Sequence, residues 1–332
     1  MRRSVMVGVF TAVAALAGAV VATPALADTG PGLRVPQAAL DASLTCSHPA
    51  DPQGTPVLLV PGTALTPAPN FDWNYERAFD TESRPWCAVE LPGSGLGDIQ
   101  VSAEYVVNGI RTMHDDSDGQ IAVVGYSQGG MLPRWALKYW PDTRGMVKDV
   151  IGIAPSNHGT VDADALCATV CAPSIRQQTP ASNFLTTLND GPETFAGLDY
   201  TVAYSFTDEV VVPNAPLPYP NFGPSTSSPL RGGAGAVANI AVQDICPGHV
   251  ADHLAMGTFD PVAYAIVADA LDHDGTADPA RIDRSVCTTA FMPGVDPVTF
   301  AGEFARFTAA IGTALATSPK TATEPPTAAY TS

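Results

Sequence analysis

Ile121-Ala122-Val123-Val124-Gly125-Tyr126-Ser127-Gln128-Gly129-Gly130 decides how the rest of this 332-residue chain reads. Four apolar residues run straight into Gly125-Tyr126-Ser127-Gln128-Gly129, and an amphipathic stretch over 131–140 follows. The pattern is Gly-x-Ser-x-Gly between a buried strand and a helix. That context puts the serine on a tight turn at a strand end. Glycines two before and two after it leave room for the turn and for close helix packing. Ser127 is therefore a candidate nucleophile; the bland alternative, an ordinary turn serine, explains neither the strand before it nor the helix after it.

Working outward, 56–60 is a short apolar strand that turns sharply at Pro61-Gly62-Thr63, and 86–91 is a second strand. Residues 99–113 carry apolar side chains at helical spacing (Val101, Tyr105, Val106, Ile110, Met113). Downstream, 147–154, 198–206 and 236–242 read as strands, and 261–271 and 297–317 as helices. Strands alternating with helices predict an α/β domain with a mainly parallel sheet. Its ligand site should lie at the carboxyl ends of the strands. Residues 212–235, rich in Pro, Gly and Ser, read as a long surface loop.

The N-terminus reads as an export leader: Arg2 and Arg3, an apolar run over 5–21, then Ala25-Leu26-Ala27 as a small-x-small cleavage site. The run is short for an anchor and ends in a cleavage signal rather than in positive flanking charges, and no later stretch reads as a bilayer span. The expected plan is a signal peptide at 1–27, a surface segment at 28–45, a catalytic domain at 46–317 and a disordered Thr/Pro/Ala-rich tail at 318–332. The chain has 33 acidic against 16 basic residues, a formal charge of −17. Loss of the leader, which holds two arginines and no acid, takes this to −19. Such a surface repels nucleic acid and anionic membrane faces. A soluble, secreted protein is expected, monomeric and without nucleic-acid partner or stable membrane insertion.

The six cysteines suit an oxidising compartment. There is no Cys-x-x-Cys and no histidine at zinc-finger spacing, so a structural metal is not expected. Six cysteines allow 15 pairings. The local set is the plausible one: Cys46–Cys87, Cys167–Cys171 and Cys246–Cys287.

A serine hydroxyl needs a base, and the base needs an acid to fix its tautomer. In α/β-hydrolases these follow in the order serine, acid, histidine. Asp208 follows the strand at 198–206 directly, with Glu209 as the fallback; Asp162, Asp164 and Asp199 have no strand immediately before them. Among histidines after the acid, His273 sits in a polar helix end, while His249 and His253 share one loop. His253, just before a long helical region, is the preferred base. His48 and His114 precede the serine and read as surface residues. His158 comes before the acid and reads as a pocket residue instead. The oxyanion needs preorganised donors. The backbone N–H of Gln128 supplies one, and Thr63 after the first strand supplies its N–H and hydroxyl.

With these residues in place, the chain resembles the Candida antarctica lipase B family of α/β-hydrolases over roughly 46–317. The likeness rests on Leu59-Val60-Pro61-Gly62-Thr63, Phe71-Asp72, the stretch 100–108, Tyr126-Ser127-Gln128-Gly129-Gly130, Ala154-Pro155 with Gly159-Thr160, the stretch 204–209 and Asp252-His253. It implies Ser127, Asp208 and His253 as triad, Thr63 and Gln128 as oxyanion hole, and two of the disulfides, Cys46–Cys87 and Cys246–Cys287. It implies hydrolysis of carboxylic esters, including triacylglycerols, without cofactor or metal, under lid-like helical elements. A short-chain or polyester-cleaving esterase, an acyltransferase, and a non-catalytic binding protein are the rival readings. The chain departs from the family at Tyr126 (a Trp there), Ser156 (an Asp) and Leu65 (a smaller polar residue), all expected near the substrate together with His158. The apolar stripe Val298, Phe300, Phe304, Phe307 and Ile311 reads equally well as flank of the entrance or as core.

Overall fold

Val57, Leu58, Leu59 and Val60 are all fully buried, as are Ile121, Ala122, Val123 and Val124. Successive strand residues point to opposite sides, so such runs require cover on both faces of the sheet. The computed structural model describes residues 29–214 and 226–331. The leader expected at 1–27, and 215–225 of the expected surface loop, lie outside the described residues.

Among the described residues seven strands form one sheet: β1 (Leu44–Cys46), β2 (Val57–Val60), β3 (Trp86–Val89), β4 (Ile121–Tyr126), β5 (Val147–Ile153), β6 (Asp199–Tyr204) and β7 (Ala236–Ala241). Their order is β1-β3-β2-β4-β5-β6-β7. β1 runs antiparallel to β3, and every other neighbouring pair is parallel. The helices in chain order are α1 (Gln37–Asp41), α2 (Pro67–Phe71), α3 (Tyr75–Thr81), α4 (Ile99–Ser117), α5 (Gln128–Tyr139), α6 (Val161–Leu166), α7 (Pro173–Gln177), α8 (Asn183–Leu188), α9 (Val242–Ile245), α10 (His253–Met256), α11 (Pro261–Asp272) and α12 (Phe300–Thr317).

Leu58, Val60 and Val123 pack with Val106, Ile110 and Trp135 of α4 and α5 on one face. Val57, Leu59 and Val124 pack with Phe79, Val262 and Ile266 of α3 and α11 on the other. This is the α/β plan expected, a mainly parallel sheet between helical layers. β1 was not foreseen: its three residues carry no period, and it is held by its register with β3, where Cys46 pairs opposite Cys87 and bonds to it. Cys167–Cys171 and Cys246–Cys287 are the other disulfides.

Two expectations need correction. The window His253–Asp272 is long and apolar enough to cross a bilayer, contrary to the sequence reading, yet 78% of it is buried inside the fold. It is core, because α11 covers one face of the sheet. The tail after 317, expected to be disordered, is docked. Thr321 pairs with Cys171, Glu324 accepts from the backbone N–H groups of Asn183 and Phe184, and the Tyr330 ring lies against Tyr139 and Trp140. A few specific contacts replace the apolar periodicity that the tail lacks.

Candidate active site

Ser127 follows β4 directly and caps α5 with φ 56° and ψ −123°, a backbone conformation rarely adopted outside glycine. The turn needs its glycines. A Cβ on Gly125 would sit 2.0 Å from the Gly129 carbonyl oxygen, and one on Gly129 would sit 2.3 Å from that of Val60. The strained turn lifts the hydroxyl to the carboxyl edge of the sheet, at the start of α5.

His253 reaches it from α10. Its Nε2 lies 3.0 Å from Ser127 Oγ, and its Nδ1 lies 2.9 Å from Asp208 Oδ2. Asp208 follows β6, and its other oxygen accepts from the N–H groups of Val210 and Val211 at 2.9 and 2.8 Å. All three side chains are buried. A carboxylate held this way keeps the proton on Nδ1 and leaves Nε2 to accept from the serine hydroxyl. Glu209, the fallback acid, instead accepts from the His253 backbone N–H at 2.9 Å and anchors the helix start that carries the imidazole. The Tyr126 hydroxyl donates to the His253 carbonyl at 3.0 Å, with the two rings 5.0 Å apart. Burial, reinforced by Asp208, Glu209 and Asp252, pushes that phenol well above its ordinary range, so it stays a neutral donor.

Gln128 is the first residue of α5, where backbone N–H groups have no intrahelical acceptor and favour negative charge. Thr63 Oγ1 donates to Gln128 Oε1 at 3.3 Å. Gln178, which the sequence reading missed, joins the two. Its Nε2 donates to Gln128 Oε1 at 3.0 Å and to Thr63 Oγ1 at 3.2 Å, and its Oε1 accepts from Ser156 Oγ at 2.8 Å. No sequence signal marks a glutamine just past a five-residue helix; only the fold brings it to this point.

A cavity of about 230 Å³ opens beside these groups. Thr63, Tyr126, Ser127 and His253 line it, with Ala64, Leu65, Ala163, Leu166, Ile175 and Leu254 as apolar wall. Leu65 and Tyr126, two of the expected substrate-side residues, line this cavity. Ser156 and His158 do not. Ser156 is fully buried behind Gln178, which takes its hydroxyl. His158 lines a separate pocket of about 300 Å³ with Val161, Asp164 and Arg231. Its Nε2 lies 2.9 Å from Glu193 Oε1, because that carboxylate sits beside the buried Arg134 of α5 and draws the imidazole inward. Burial alone would raise the Glu193 carboxyl, but His158 and Arg134 bring it down to about 2. The rival base His249 points elsewhere: its Nε2 lies 2.5 Å from Asp260, the N-cap of α11, a hydrogen bond that raises the imidazole pKa. His273 contacts the Asp269 carbonyl, and His114 that of Gly119. The aromatic stripe divides. Phe300, Phe304 and Phe307 pack against the core, Ile311 and Leu315 line the cavity, and Val298 is exposed.

Comparison with known proteins agrees with this architecture. No protein-family model matches the chain. Lipase B of Pseudozyma antarctica is 35% identical over 247 residues, 72% of this chain and 69% of the relative. The crystal structure of Aspergillus fumigatus lipase B superposes with a TM-score of 0.81 at 33% identity, covering 92% of this chain and 74% of that one. Mature Bacillus licheniformis lipase BlEst2 shares the fold at 14% identity, with a TM-score of 0.51 over 69% of this chain and 96% of its own.

Proposed function

We propose that ester cleavage in this chain, which belongs to the lipase B family of α/β-hydrolases and is a carboxylic ester hydrolase, runs through Ser127, His253 and Asp208. The observation that carries the reading is the unbroken hydrogen-bond line from Asp208 through His253 to Ser127, opening on a cavity with an apolar wall. Ser127 Oγ attacks the ester carbonyl carbon while His253 Nε2 takes its proton. Asp208 stabilises the imidazolium that forms. The carbonyl oxygen, now carrying the negative charge, is held by the N–H groups of Gln128 and Thr63 and by the Thr63 hydroxyl, which turns to it from Gln128 Oε1. His253 then gives its proton to the departing alcohol as the C–O bond breaks, leaving an acyl-enzyme. Water, deprotonated by His253, releases the acid and restores Ser127.

The substrate is an ester or lipid whose acyl chain lies along Leu65, Ile175, Ile311 and Leu315, presented in solution or at a lipid–water interface. The leader read in the sequence and the three disulfides support export as a secreted enzyme. Ser127→Ala assayed on p-nitrophenyl butyrate tests the scheme, together with a fluorophosphonate probe on the wild type. The expected outcome is loss of turnover by several powers of ten and labelling confined to Ser127. Wild-type-like turnover in the variant, or labelling elsewhere, refutes it.

A further inference from the structure

The segment that carries Leu166 to the cavity is poorly held by its own packing. Leu166 is 65% exposed and Val170 52%, and the 161–171 stretch around them is mostly solvent-facing. The disulfide Cys167–Cys171 closes it into a small unit just past α6. Part of what fixes that unit comes from the far end of the chain. Thr321 and Cys171 exchange backbone hydrogen bonds of 2.7 and 3.2 Å. Arg176 ties the same point, donating to the carbonyls of Cys167, Thr169 and Thr321 at 3.1, 3.0 and 3.4 Å.

Thr321 is itself anchored from both sides. Upstream is α12, whose Ile311 and Leu315 line the same cavity as Leu166. Downstream, the Glu324 carboxylate accepts from the N–H groups of Asn183 and Phe184 at 2.8 and 2.7 Å, capping α8. Ala328 N–H donates to Gln100 Oε1 at 2.6 Å, and Gln100 Nε2 returns a bond to the Pro326 carbonyl at 3.0 Å. Tyr330 closes the run: its hydroxyl accepts from Trp135 Nε1 at 3.1 Å, and its ring packs on Tyr139 and Trp140.

We propose that residues 318–331 are a strap that sets the acyl selectivity of this enzyme, by fixing the Leu166 rim at a constant distance from the Ile311 and Leu315 wall. The inference rests on the reading of the cavity as the acyl site. On this reading the walls so fixed contact acyl carbons beyond the first few. A short ester does not sense the strap, and a long one loses apolar contact when the rim drifts. The segment thus does work that a disordered tail does not.

The test compares the full chain with a Glu324→Ala/Tyr330→Ala double variant and with a deletion of residues 319–332. Thermal unfolding checks that each is folded, and the double variant, which keeps the Thr321 pairing, serves if the deletion does not fold. The readouts are kcat/KM on p-nitrophenyl butyrate and laurate, and amide hydrogen exchange over 161–171. Release of the strap lowers the laurate-to-butyrate ratio about fivefold, as losing the burial of one or two methylenes does. The change sits in KM for laurate, with butyrate turnover held within about twofold, and exchange at the Cys171 amide quickens about tenfold or more. An unaltered or raised ratio, or unaltered exchange, overturns the strap. The reading of the cavity fails separately: it falls if Ser127→Ala in the full chain retains turnover, a result that leaves the exchange measurement free to judge the strap.

Discussion

Two buried histidine–carboxylate pairs lie on either side of α6, and only one of them faces a serine hydroxyl. His253 and Asp208 stand 2.9 Å apart, and so do His158 and Glu193. Each carboxylate also accepts backbone N–H groups, Asp208 from Val210 and Val211, Glu193 from Arg231. The difference lies in what surrounds each pair. Among the described residues no lysine or arginine forms an ion pair with Asp208, whereas Glu193 lies 4.0 Å from the buried guanidinium of Arg134. A carboxylate already balanced by arginine has less to gain from a charged imidazole. The free nitrogens differ too. His253 Nε2 meets a hydroxyl, while His158 Nδ1 is buried with no hydrogen-bond partner. A histidine beside a carboxylate is therefore no sufficient sign of a general base. The third group and the local charge balance decide.

The sharpest way to break this contrast is at its hydroxyl. Ser127→Ala is expected to cut kcat by about 10⁴-fold or more on a short ester, measured by burst and steady-state kinetics. Asp208→Asn comes next, with an expected fall of about 10³- to 10⁴-fold, because the amide no longer favours the productive tautomer or stabilises the imidazolium. A fall of less than tenfold would make Asp208 as dispensable to chemistry as Glu193.

Glu193→Gln should act on stability alone, leaving kcat within about threefold while lowering the urea-unfolding free energy at pH 7 by about 2–3 kcal/mol. The sign follows from the carboxyl's descent from its ordinary value of 4.5 to about 2 in the folded chain. Its contribution is complete above the unfolded pKa and drains away as pH falls through the folded one. The wild type and the variant should converge between about pH 4.5 and 2, and a gap that persists at the acid end argues against the pairing. The smallest effect is expected from Tyr126→Phe. Removing one hydrogen bond to the His253 carbonyl should lower kcat/KM by about three- to tenfold and leave the fold intact by circular dichroism.

Much of this architecture is legible along the chain because it depends on local pattern. The apolar runs at 57–60 and 121–124, each ending in a glycine-containing turn, read as strands and are buried on both sides. The glycines around Ser127 announce their turn through steric necessity. The order Ser127, Asp208, His253 is legible as the one that α/β-hydrolases carry. Where the reading erred, the deciding contact was distant. His158 follows a strand end just as a pocket residue should, yet Glu193 and Arg134 claim it for the other side of α6. β1 is too short to carry a period and exists through its pairing with β3.

By itself, then, the sequence determined the parallel α/β sheet and the strained serine turn, because each follows from side-chain periodicity or backbone sterics over a few residues. Tertiary structure alone decided that Gln178 joins Thr63 to Gln128, that His158 turns away from the serine, and that the polar tail beyond 317 docks. Those outcomes rest on single hydrogen bonds between residues far apart in the chain. Such bonds leave no repeat in the sequence, and their partners are chosen only once the sheet has brought them together.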